Sequence, residues 1–376
     1  MSNNTLISRI RGYVVDSYPQ ALVRFTGQDP LTNSSIELVR IELENGIEGI
    51  AGYSTGWFGR EVGVLLANIE SLSPDVIGRD IHDHKNMTRE LIDWHDPALL
   101  NAVSILDIAM WDAYGRIKGQ PIYEILGQQQ QSIPAYASTP AFLSIDEYIE
   151  ITQQCITAGY RGIKYHMNCD PEFDREMVNT IERYFPHSGL RFMVDLEQRY
   201  TLDDAVLLGE ILDKLPYDWM EAPIDDTDID SYIELNKQVN VDILNVGNTL
   251  LGMDQWEQGL AGKAWSRLRC DANNAGGITT VIDAIALAER FEVPIELQSY
   301  GYIANQMSDL QLMHSSRRCT WFEHPFPFQD YEFASNSGIR LDSEGRVSAP
   351  SGSGLGLELD WSQIEKVASR SFEVRL

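Results

Sequence analysis

The sequence predicts an α/β protein in which a (β/α)8 barrel of the TIM type follows an N-terminal α+β capping domain. From about residue 133 onward, short apolar runs alternate with amphipathic helical stretches, as β-α units of a parallel sheet do. Eight such runs occur, and eight parallel strands close into a barrel. The predicted strands lie near Ile133–Ser138, Gly162–Met167, Arg191–Glu197, Asp218–Pro223, Ile243–Gly247, Leu268–Ala272, Pro294–Ser299 and Thr320–His324.

The N-terminal third has a different pattern, which predicts the cap. Apolar and polar residues largely alternate from Ile36 to Gly52 around Asn45-Gly46, which is typical of a β-hairpin. From Asn101 to Lys118 the apolar residues recur at helical spacing. We therefore predict a capping domain over residues 1–125, with loops that cover the barrel mouth.

A glutamine run, Gln128–Gln131, marks the predicted domain boundary, because such a polar tract suits a surface connection. The barrel then spans residues 126–350. A chain of 376 residues with 43% hydrophobic content is long enough to bury the core of one barrel and a cap.

The chain is strongly acidic, with 29 basic against 56 acidic residues and a formal net charge of -27. No basic cluster is present in the sequence, so binding to nucleic acid is disfavoured. Because salt screens the repulsion between carboxylates, a salt-rich habitat is our hypothesis for this acidity.

The sequence predicts no membrane or secretory segment. Residues Met1 to Thr5 lack a basic segment followed by an apolar run, and no stretch of about 18 apolar residues occurs. We expect a cytoplasmic protein without a membrane partner. The four cysteines are scattered without paired metal-binding spacing, which favours reduced thiols.

Polar residues end the predicted strands after the first, and successive members from Asp195 onward are 23 to 27 residues apart, about one β-α unit. Barrels of this kind carry their catalytic groups at the C-terminal ends of the strands. Each residue taken alone is equally consistent with a helix cap or a solvated loop. The set is Lys164, His166, Asp195, Glu221, Asn248, Asp271, Gln298 and Glu323.

Three consecutive strand ends offer hard oxygen ligands: Asp195, Glu221 and Asn248. Such ligands suit one Mg2+ ion, with Mn2+ as an alternative, and leave positions for water and substrate. Since only two of the three are charged, the bound cation stays electrophilic. A carboxylate substrate can then chelate it, and the cation absorbs negative charge as the α-proton leaves.

Several segments resemble the mandelate racemase-like and muconate-lactonising enzymes of the enolase superfamily. These segments are Asn101–Asp112 with Lys118–Pro121 and Leu126-Gly127, Asp271 with Gly276–Thr279, and the closing Gly354–Asp360. The resemblance spans nearly the whole chain. It implies a magnesium-dependent enzyme acting on a small sugar acid, a C-terminal segment of residues 351–376 that returns to the cap, and an even-numbered homo-oligomer.

The resemblance assigns the base to the second barrel strand. Lys164 matches the first lysine of the family's Lys-x-Lys motif, and His166 replaces the second, which is the usual base. A neutral imidazole accepts a proton near pH 7 without the burial that a lysine needs. Lys164 is expected to hold the substrate carboxylate or to keep His166 neutral. The alternative for His166 is a core histidine.

A second departure concerns the opposite face of the substrate. Racemases of the family pair an Asp with a His, and Asp271 matches the Asp, but the family's His-Ser-Trp-Gly reads Gln298-Ser299-Tyr300-Gly301. Glutamine cannot act as a base, which puts two-base racemisation in doubt. We expect Gln298 to bind either the substrate or Asp271.

Two further carboxylates follow from the resemblance. Glu323 matches the eighth-strand glutamate that, when protonated, donates a hydrogen bond to the substrate carboxylate as charge develops. Its alternative is an ion pair with a neighbouring strand. Glu197 stands where related dehydratases carry an Asn or His, and either protonates a departing oxygen or pairs with Lys164.

Substrate specificity is expected from two cap loops, Tyr18–Pro30 and Tyr53–Arg60, which resemble the family's lid segments. They carry Arg24 and Trp57, which we expect to bind the substrate together with Tyr300. An exposed arginine is the alternative for Arg24.

The simplest reaction for this set is removal of the α-proton followed by loss of a β-oxygen. If a hydroxyl leaves, the enzyme is a sugar-acid dehydratase that forms a 2-keto-3-deoxy acid. If a ring oxygen leaves, as in an aldarolactone or a 3,6-anhydro sugar acid, the enzyme is a cycloisomerase. A racemase or epimerase, or a non-catalytic sugar-acid binder, is a weaker alternative.

Overall fold

A computed structural model describes residues 4–24, 31–55, 61–186, 188–247, 249 and 252–376. The strands are β1 (Ile7–Val23), β2 (Leu31–Leu43), β3 (Glu48–Thr55), β4 (Ser132–Thr139), β5 (Gly162–His166), β6 (Arg191–Asp195), β7 (Tyr217–Glu221), β8 (Asp242–Leu244), β9 (Leu268–Cys270), β10 (Ile295–Leu297), β11 (Phe322–Pro325), β12 (Arg346–Ser348) and β13 (Arg370–Arg375). The α-helices are α1 (Val64–Val76), α2 (His84–Leu91), α3 (Pro97–Lys118), α4 (Ile122–Leu126), α5 (Ile145–Thr157), α6 (Pro171–Tyr184), α7 (Leu202–Leu212), α8 (Ile229–Gln238), α9 (Met253–Gly262), α10 (Gly277–Phe291), α11 (Ile303–His314) and α12 (Trp361–Val367). Two 3-10 turns span Ile81–Asp83 and Gln329–Tyr331.

The cap is built on an antiparallel sheet with strand order β13-β1-β2-β3. The predicted hairpin is confirmed, because Asn45 and Gly46 lie in the turn between β2 and β3. Gly46 has a φ of 82°, a conformation that glycine adopts without steric cost. The last strand of the chain pairs with β1 over the register Arg9↔Arg375 to Val14↔Arg370, so the C-terminal segment lies in the cap sheet.

The barrel contains eight parallel strands, β4 to β11, which confirms the predicted fold class. A continuous ladder runs β11-β4-β5-β6-β7-β8, and β9 and β10 pair with each other. Most barrel strands are shorter than predicted, and β8, β9 and β10 have only three residues each. Asp271 and Gln298 therefore stand just beyond the strands that were expected to contain them.

Side chains and isolated bonds close the barrel on both sides of the β9-β10 pair. On one side, a single bridge joins Leu244 to Arg267, and the side-chain amide of Asn245 binds both the N–H and the carbonyl of Arg269, each at 2.9 Å. On the other side, the N–H of Ile295 donates to the carbonyl of Arg318. Asn245 thus makes two bonds that a backbone ladder makes elsewhere.

The barrel interior is filled with side chains, as expected for a packed core and not a pore. Tyr136, Met193, Trp219 and Leu244 form one cluster inside it, and each is at most 1% exposed. The guanidinium of Arg267 lies 5.3 Å from the ring centre of Trp219.

Two further observations concern membrane-spanning helices and the cysteines. Of the helices in the described ranges, none is both long and apolar enough to cross a membrane. The four cysteines are free thiols, as expected, and three of them are buried.

Helix α3 joins the cap to the barrel, and it is buried on nearly all sides. It begins where Asp96 accepts hydrogen bonds from the N–H groups of Ala98 and Leu99, and it ends at Gly119. A helix that is apolar around its circumference belongs in a core. The approach to β3 is close, because a Cβ added at Gly49 would lie 2.1 Å from the Ala109 carbonyl oxygen.

Two buried carboxylates on α3 bind the backbone of both domains. Asp107 accepts bonds from the N–H and hydroxyl of Thr279, at the start of α10, at 3.0 and 2.6 Å. Asp112 accepts bonds from the N–H of Ile50 at 3.0 Å and the N–H of Leu355 at 2.7 Å. Burial raises the pKa of each carboxyl to about 6, and these donors, together with the Arg116 charge beside Asp112, oppose a larger rise.

We expect Asp112→Asn to lower the free energy of unfolding by about 3 kcal/mol, because the amide keeps one acceptor and turns a donor toward a backbone N–H. Urea unfolding of the purified variant measures this. Asp75→Asn, on the exposed face of α1, is the matched control and should change stability by less than about 0.5 kcal/mol. Equal stability of the two variants would contradict the role of Asp112.

Candidate active site

Four polar side chains meet at the C-terminal mouth of the barrel because neighbouring parallel strands end at the same level. His166, Asp195 and Glu221 are the last residues of β5, β6 and β7, and they pair in register across the ladder. Lys164 lies two residues before His166 and therefore on the same face of β5. All four residues are buried, and none is more than 6% exposed.

The Lys164 ammonium lies among three carboxylates. Its Nζ is 3.1 Å from Asp195 Oδ2, 2.9 Å from Glu221 Oε2 and 3.0 Å from Glu323 Oε1. Burial by itself disfavours the charged amine, but the charges of the surrounding carboxylates outweigh it and raise the pKa of Lys164 well above its ordinary value. Its three N–H donors are matched by these three partners, so Lys164 is a cation and not a base.

A second buried cation, Arg269 on β9, completes the cluster. Its Nε lies 2.8 Å from Glu221 Oε1, and a terminal nitrogen lies 2.9 Å from Glu323 Oε2. Burial would raise the pKa of Glu323, yet Lys164 and Arg269 together hold it well below its ordinary value. Glu323 thus forms the ion pair with neighbouring strands that was the alternative for it, and its role as a donor to a substrate carboxylate stays a prediction.

His166 is held as a neutral imidazole. Burial lowers its pKa, the nearby Lys164 charge acts in the same direction, and Asp195 opposes them. Its Nδ1 lies 2.6 Å from the Thr139 carbonyl oxygen, which can only accept a hydrogen bond. The ring hydrogen therefore sits on Nδ1, and Nε2, 3.5 Å from Asp195 Oδ2, carries the lone pair.

Asp195 and Glu221 have opposite pKa shifts although they lie side by side. Burial and then the Asp195 charge raise the pKa of Glu221 above its ordinary value, against the lowering effects of Arg269 and Lys164. Burial would raise the pKa of Asp195 as well, but Lys164 and His166 lower it. Two adjacent buried carboxylates that cannot both ionise easily are a pair that a further cation would stabilise.

The predicted cation ligands are only partly described by the structure. Asp195 and Glu221 both face the Lys164 ammonium, so their oxygens converge on one small region. Asn248 lies outside the described residues. Within the described ranges, no three His, Cys, Asp or Glu side chains form a group able to hold a metal ion by themselves, and the predicted set needs the asparagine.

Asp271 and Gln298 lie in the loops after β9 and β10. Asp271 is fully buried, and its carboxylate accepts bonds from the N–H of Asn273 at 2.7 Å, the N–H of Asn274 at 2.9 Å and the Asn274 amide at 2.8 Å. Gln298 Oε1 is buried without a hydrogen-bond partner among the described residues. Catalytic roles for both stay predictions.

The other predicted side chains lie around the mouth or outside the described ranges. The backbone N–H of Glu197 donates to Asp195 Oδ1 at 3.1 Å. The carbonyl of Arg24 accepts a bond from the N–H of Ala141, which places this part of the cap beside the loop after β4. Trp57 lies outside the described residues, and the substrate contacts of all three stay predictions.

Tyr300 lies next to His166. The ring centroids are 6.1 Å apart, and the ring planes meet at 77°. Its hydroxyl oxygen accepts a hydrogen bond from the Tyr331 hydroxyl at 3.0 Å.

Sequence reasoning missed Arg269 and Tyr331. A signal for Arg269 was present, because it precedes Asp271 by two residues and so faces the same side of an extended strand. Tyr331 follows the last barrel strand in a 3-10 turn, and nothing in its local sequence indicates a place at the mouth.

Two family models match the chain. The mandelate racemase / muconate lactonizing enzyme N-terminal domain matches residues 22–127, and the enolase C-terminal domain-like model matches residues 147–363. Together they include all of the buried charged residues at the mouth.

Individual proteins are similar over much of the chain. A Pseudovibrio sp. protein with a provisional mandelate racemase/muconate lactonizing enzyme assignment superposes with a TM-score of 0.94 at 31% identity, over 100% of both chains. L-talarate/galactarate dehydratase of Salmonella typhimurium is 25% identical over 277 residues, 70% of this chain and 67% of that protein. L-talarate dehydratase of Polaromonas sp. JS666, solved with Mg and L-glucarate, has the same fold, with a TM-score of 0.85 at 23% identity over 99% of each chain.

We expect Arg269→Met to lower the free energy of unfolding by about 3 kcal/mol, because Glu221 and Glu323 lose a buried ionic partner. Guanidinium unfolding measures this. The control is Arg191→Met, because the half-exposed Arg191 forms an ion pair with Asp218 that we expect to contribute less than about 1 kcal/mol. A loss for Arg269→Met no larger than for the control would show that the buried pairs do not stabilise the mouth.

Proposed function

The chain belongs to the mandelate racemase/muconate lactonizing enzyme family of the enolase superfamily, and from that premise we propose that it is a magnesium-dependent sugar-acid dehydratase. It removes the α-proton of a sugar acid and then eliminates the β-oxygen, forming a 2-keto-3-deoxy acid. The observation that carries the proposal is the His166 ring, with Nδ1 at the Thr139 carbonyl and Nε2 turned toward the buried carboxylate of Asp195, which neighbours Glu221.

Asp195 and Glu221, with Asn248 as the third member, are the residues that would hold Mg2+. The residues fit the ion, because carboxylate and amide oxygens are its preferred ligands and the two carboxylates already converge on a single ammonium. When bound, Mg2+ supplies positive charge beside the substrate carboxylate and so lowers the cost of removing the neighbouring proton.

His166 is the base in this proposal. Its Nε2 carries the lone pair, because Nδ1 donates to the Thr139 carbonyl. The imidazole is neutral at pH 7 and needs no prior loss of a proton to act. Lys164, with a raised pKa, cannot compete for this role.

Lys164 and Glu323 act through charge. Lys164 lowers the pKa of Asp195 and Glu323 and contributes to the neutrality of His166. A substrate carboxylate arriving beside Glu323 adds like charge, which raises the pKa of Glu323 toward its protonated, donating form. Glu323 then stabilises the negative charge that develops on the substrate.

Elimination is favoured over racemisation because the second face offers Gln298, which neither accepts nor gives a proton. The names of similar proteins, such as L-talarate/galactarate dehydratase, favour a hydroxyl leaving group. Loss of a ring oxygen from an aldarolactone or a 3,6-anhydro acid needs the same α-proton removal, so the cycloisomerase reaction is the alternative.

A substrate screen in deuterated water with Mg2+ tests the proposal. Aldonates, aldarates, their lactones and 3,6-anhydro acids are incubated with the enzyme, and products are followed by NMR. A 2-keto-3-deoxy acid from an open-chain acid supports the dehydratase, and one from a cyclic acid supports the cycloisomerase. Scrambling at the α-carbon without a keto acid indicates a racemase, and no reaction with any acid indicates a binder.

We expect His166→Asn to slow both α-proton exchange and keto-acid formation by about 1000-fold, because a general base contributes on that order. NMR of the substrate α-position in deuterated water measures the exchange. His95→Asn, an exposed histidine, is the control and should react like the unmodified enzyme. Rapid exchange in His166→Asn would assign the base to another residue.

We expect Mg2+ to stabilise the chelator-treated protein by about 2.7 kcal/mol at a concentration of 100 times Kd, since the ion binds only the folded state. Thermal unfolding with increasing Mg2+ measures this without any substrate. Glu221→Gln should abolish the response. Asp218→Asn, on the same strand but away from the mouth, should keep it, and a response that is equal in both variants would place the ion elsewhere.

A further inference from the structure

Tyr300 carries a partly buried phenol whose ring lies next to that of the proposed base. It stands three residues beyond β10, and its ring meets the His166 ring edge to face. Because the two rings are neighbours, a group that binds beside the His166 ring also comes near Tyr300. Neither proton removal by His166 nor charge stabilisation by Glu323 uses the Tyr300 hydroxyl.

The hydrogen bond from Tyr331 orients the hydroxyl hydrogen of Tyr300. Tyr331 is 1% exposed, and its hydroxyl donates to the Tyr300 oxygen at 3.0 Å. Since Tyr331 is the donor of that bond, the hydrogen of Tyr300 is directed away from Tyr331. The same bond stabilises the phenolate that remains after Tyr300 gives up its proton. A proton donor needs both features, a hydrogen directed away from Tyr331 and a stabilised phenolate.

The surroundings of Tyr300, chiefly its burial, raise its pKa and keep it protonated at rest. Burial raises its pKa, the Tyr331 bond lowers it, and Glu323 and Lys164 act in opposite directions, so that the net pKa lies above the ordinary value. At neutral pH the hydroxyl therefore holds its hydrogen until a strongly basic oxygen forms beside it.

Two other polar residues near the mouth suit the acid role less well. Gln298 carries an amide, which does not release a proton to oxygen. Glu197 follows Asp195, and its backbone N–H is bound to the Asp195 carboxylate, on the side of the predicted cation ligands.

We propose that Tyr300 is the acid that protonates the departing β-oxygen, an inference that rests on the function proposed above. His166 Nε2 takes the α-proton, and the electrons of the broken C–H bond form the double bond between the α- and β-carbons. The β-carbon–oxygen bond breaks with its electron pair on oxygen, and that oxygen takes the hydrogen of Tyr300.

The products balance these transfers. The oxygen leaves as water from an open-chain acid, or stays as a new hydroxyl when a ring opens. The resulting enol takes a proton at the β-carbon and loses its hydroxyl proton, which gives the 2-keto-3-deoxy acid. The Tyr300 phenolate regains a proton from water, and the His166 imidazolium releases one, so no oxidant or further reactant is required.

The test separates proton removal from oxygen departure in Tyr300→Phe. In Tyr300→Phe we expect the α-proton to exchange into deuterated water at a rate within about threefold of the rate at which the unmodified enzyme breaks the α-C–H bond. Keto-acid formation should fall about 100-fold, as expected for the loss of a general acid. Tyr331→Phe should reduce keto-acid formation by about tenfold through the lost hydrogen bond. Tyr160→Phe removes a buried hydroxyl bonded to His324 and is the matched control, expected to match the unmodified enzyme.

A substrate analogue with fluorine in place of the β-hydroxyl adds a second measurement. Fluoride departs as an anion and needs no proton, so the deficit of Tyr300→Phe should shrink to within about fivefold with this analogue. A purely structural role for Tyr300 would leave the deficit equal for hydroxyl and fluoride, and that result overturns the inference.

The outcomes distinguish this inference from the function on which it rests. If the unmodified enzyme neither exchanges nor eliminates any sugar acid, the proposed function fails and Tyr300 has no reaction to serve. If the unmodified enzyme eliminates and Tyr300→Phe does so at the same rate, the function stands and the acid is another residue. Parallel loss of exchange and elimination in Tyr300→Phe likewise overturns the assignment while leaving the function intact.

Discussion

The ion pairs of a single buried ammonium hold the barrel mouth together. Lys164 contacts carboxylates from three other strands, and Arg269 links two of those carboxylates to a fifth strand. Charges placed in a protein interior are costly unless each is paired and hydrogen-bonded, so no member can move without exposing another. The result is a rigid set of side chains whose positions are decided before any substrate arrives.

The charges of this cluster do not cancel. Three carboxylates and two cations leave one negative charge when all are ionised, and the opposite pKa shifts of Asp195 and Glu221 express that excess. A divalent cation would more than cancel it. Burial, helped by the Lys164 charge and opposed by Asp195, lowers the pKa of His166 and favours its neutral form beside these carboxylates.

Much of this arrangement could be predicted from the sequence, because β-α units of similar length place one strand end after another around a ring. His166, Asp195 and Glu221 lie in register for that reason. Arg269 could not be assigned a partner, since its pairs with Glu221 and Glu323 depend on strands far apart in the chain. For Glu323 the sequence left two possibilities, a donor and an ion pair, and could not choose between them because its two cationic partners come together only in the folded barrel. Helix α3 was predictable from its period, whereas the bonds from Asp112 to both ends of the chain depend on tertiary contacts.

The two sides of the β9-β10 pair are joined to the rest of the barrel by few backbone bonds. Mechanically, the barrel is therefore an arc of six strands and a narrow strip of two. The arc bears His166, Asp195 and Glu221, whereas the strip bears Arg269 and leads into Tyr300. Because few backbone bonds join the strip to the arc, the gap between these halves is set by side chains, namely the ion pairs of Arg269 and the two hydrogen bonds of Asn245.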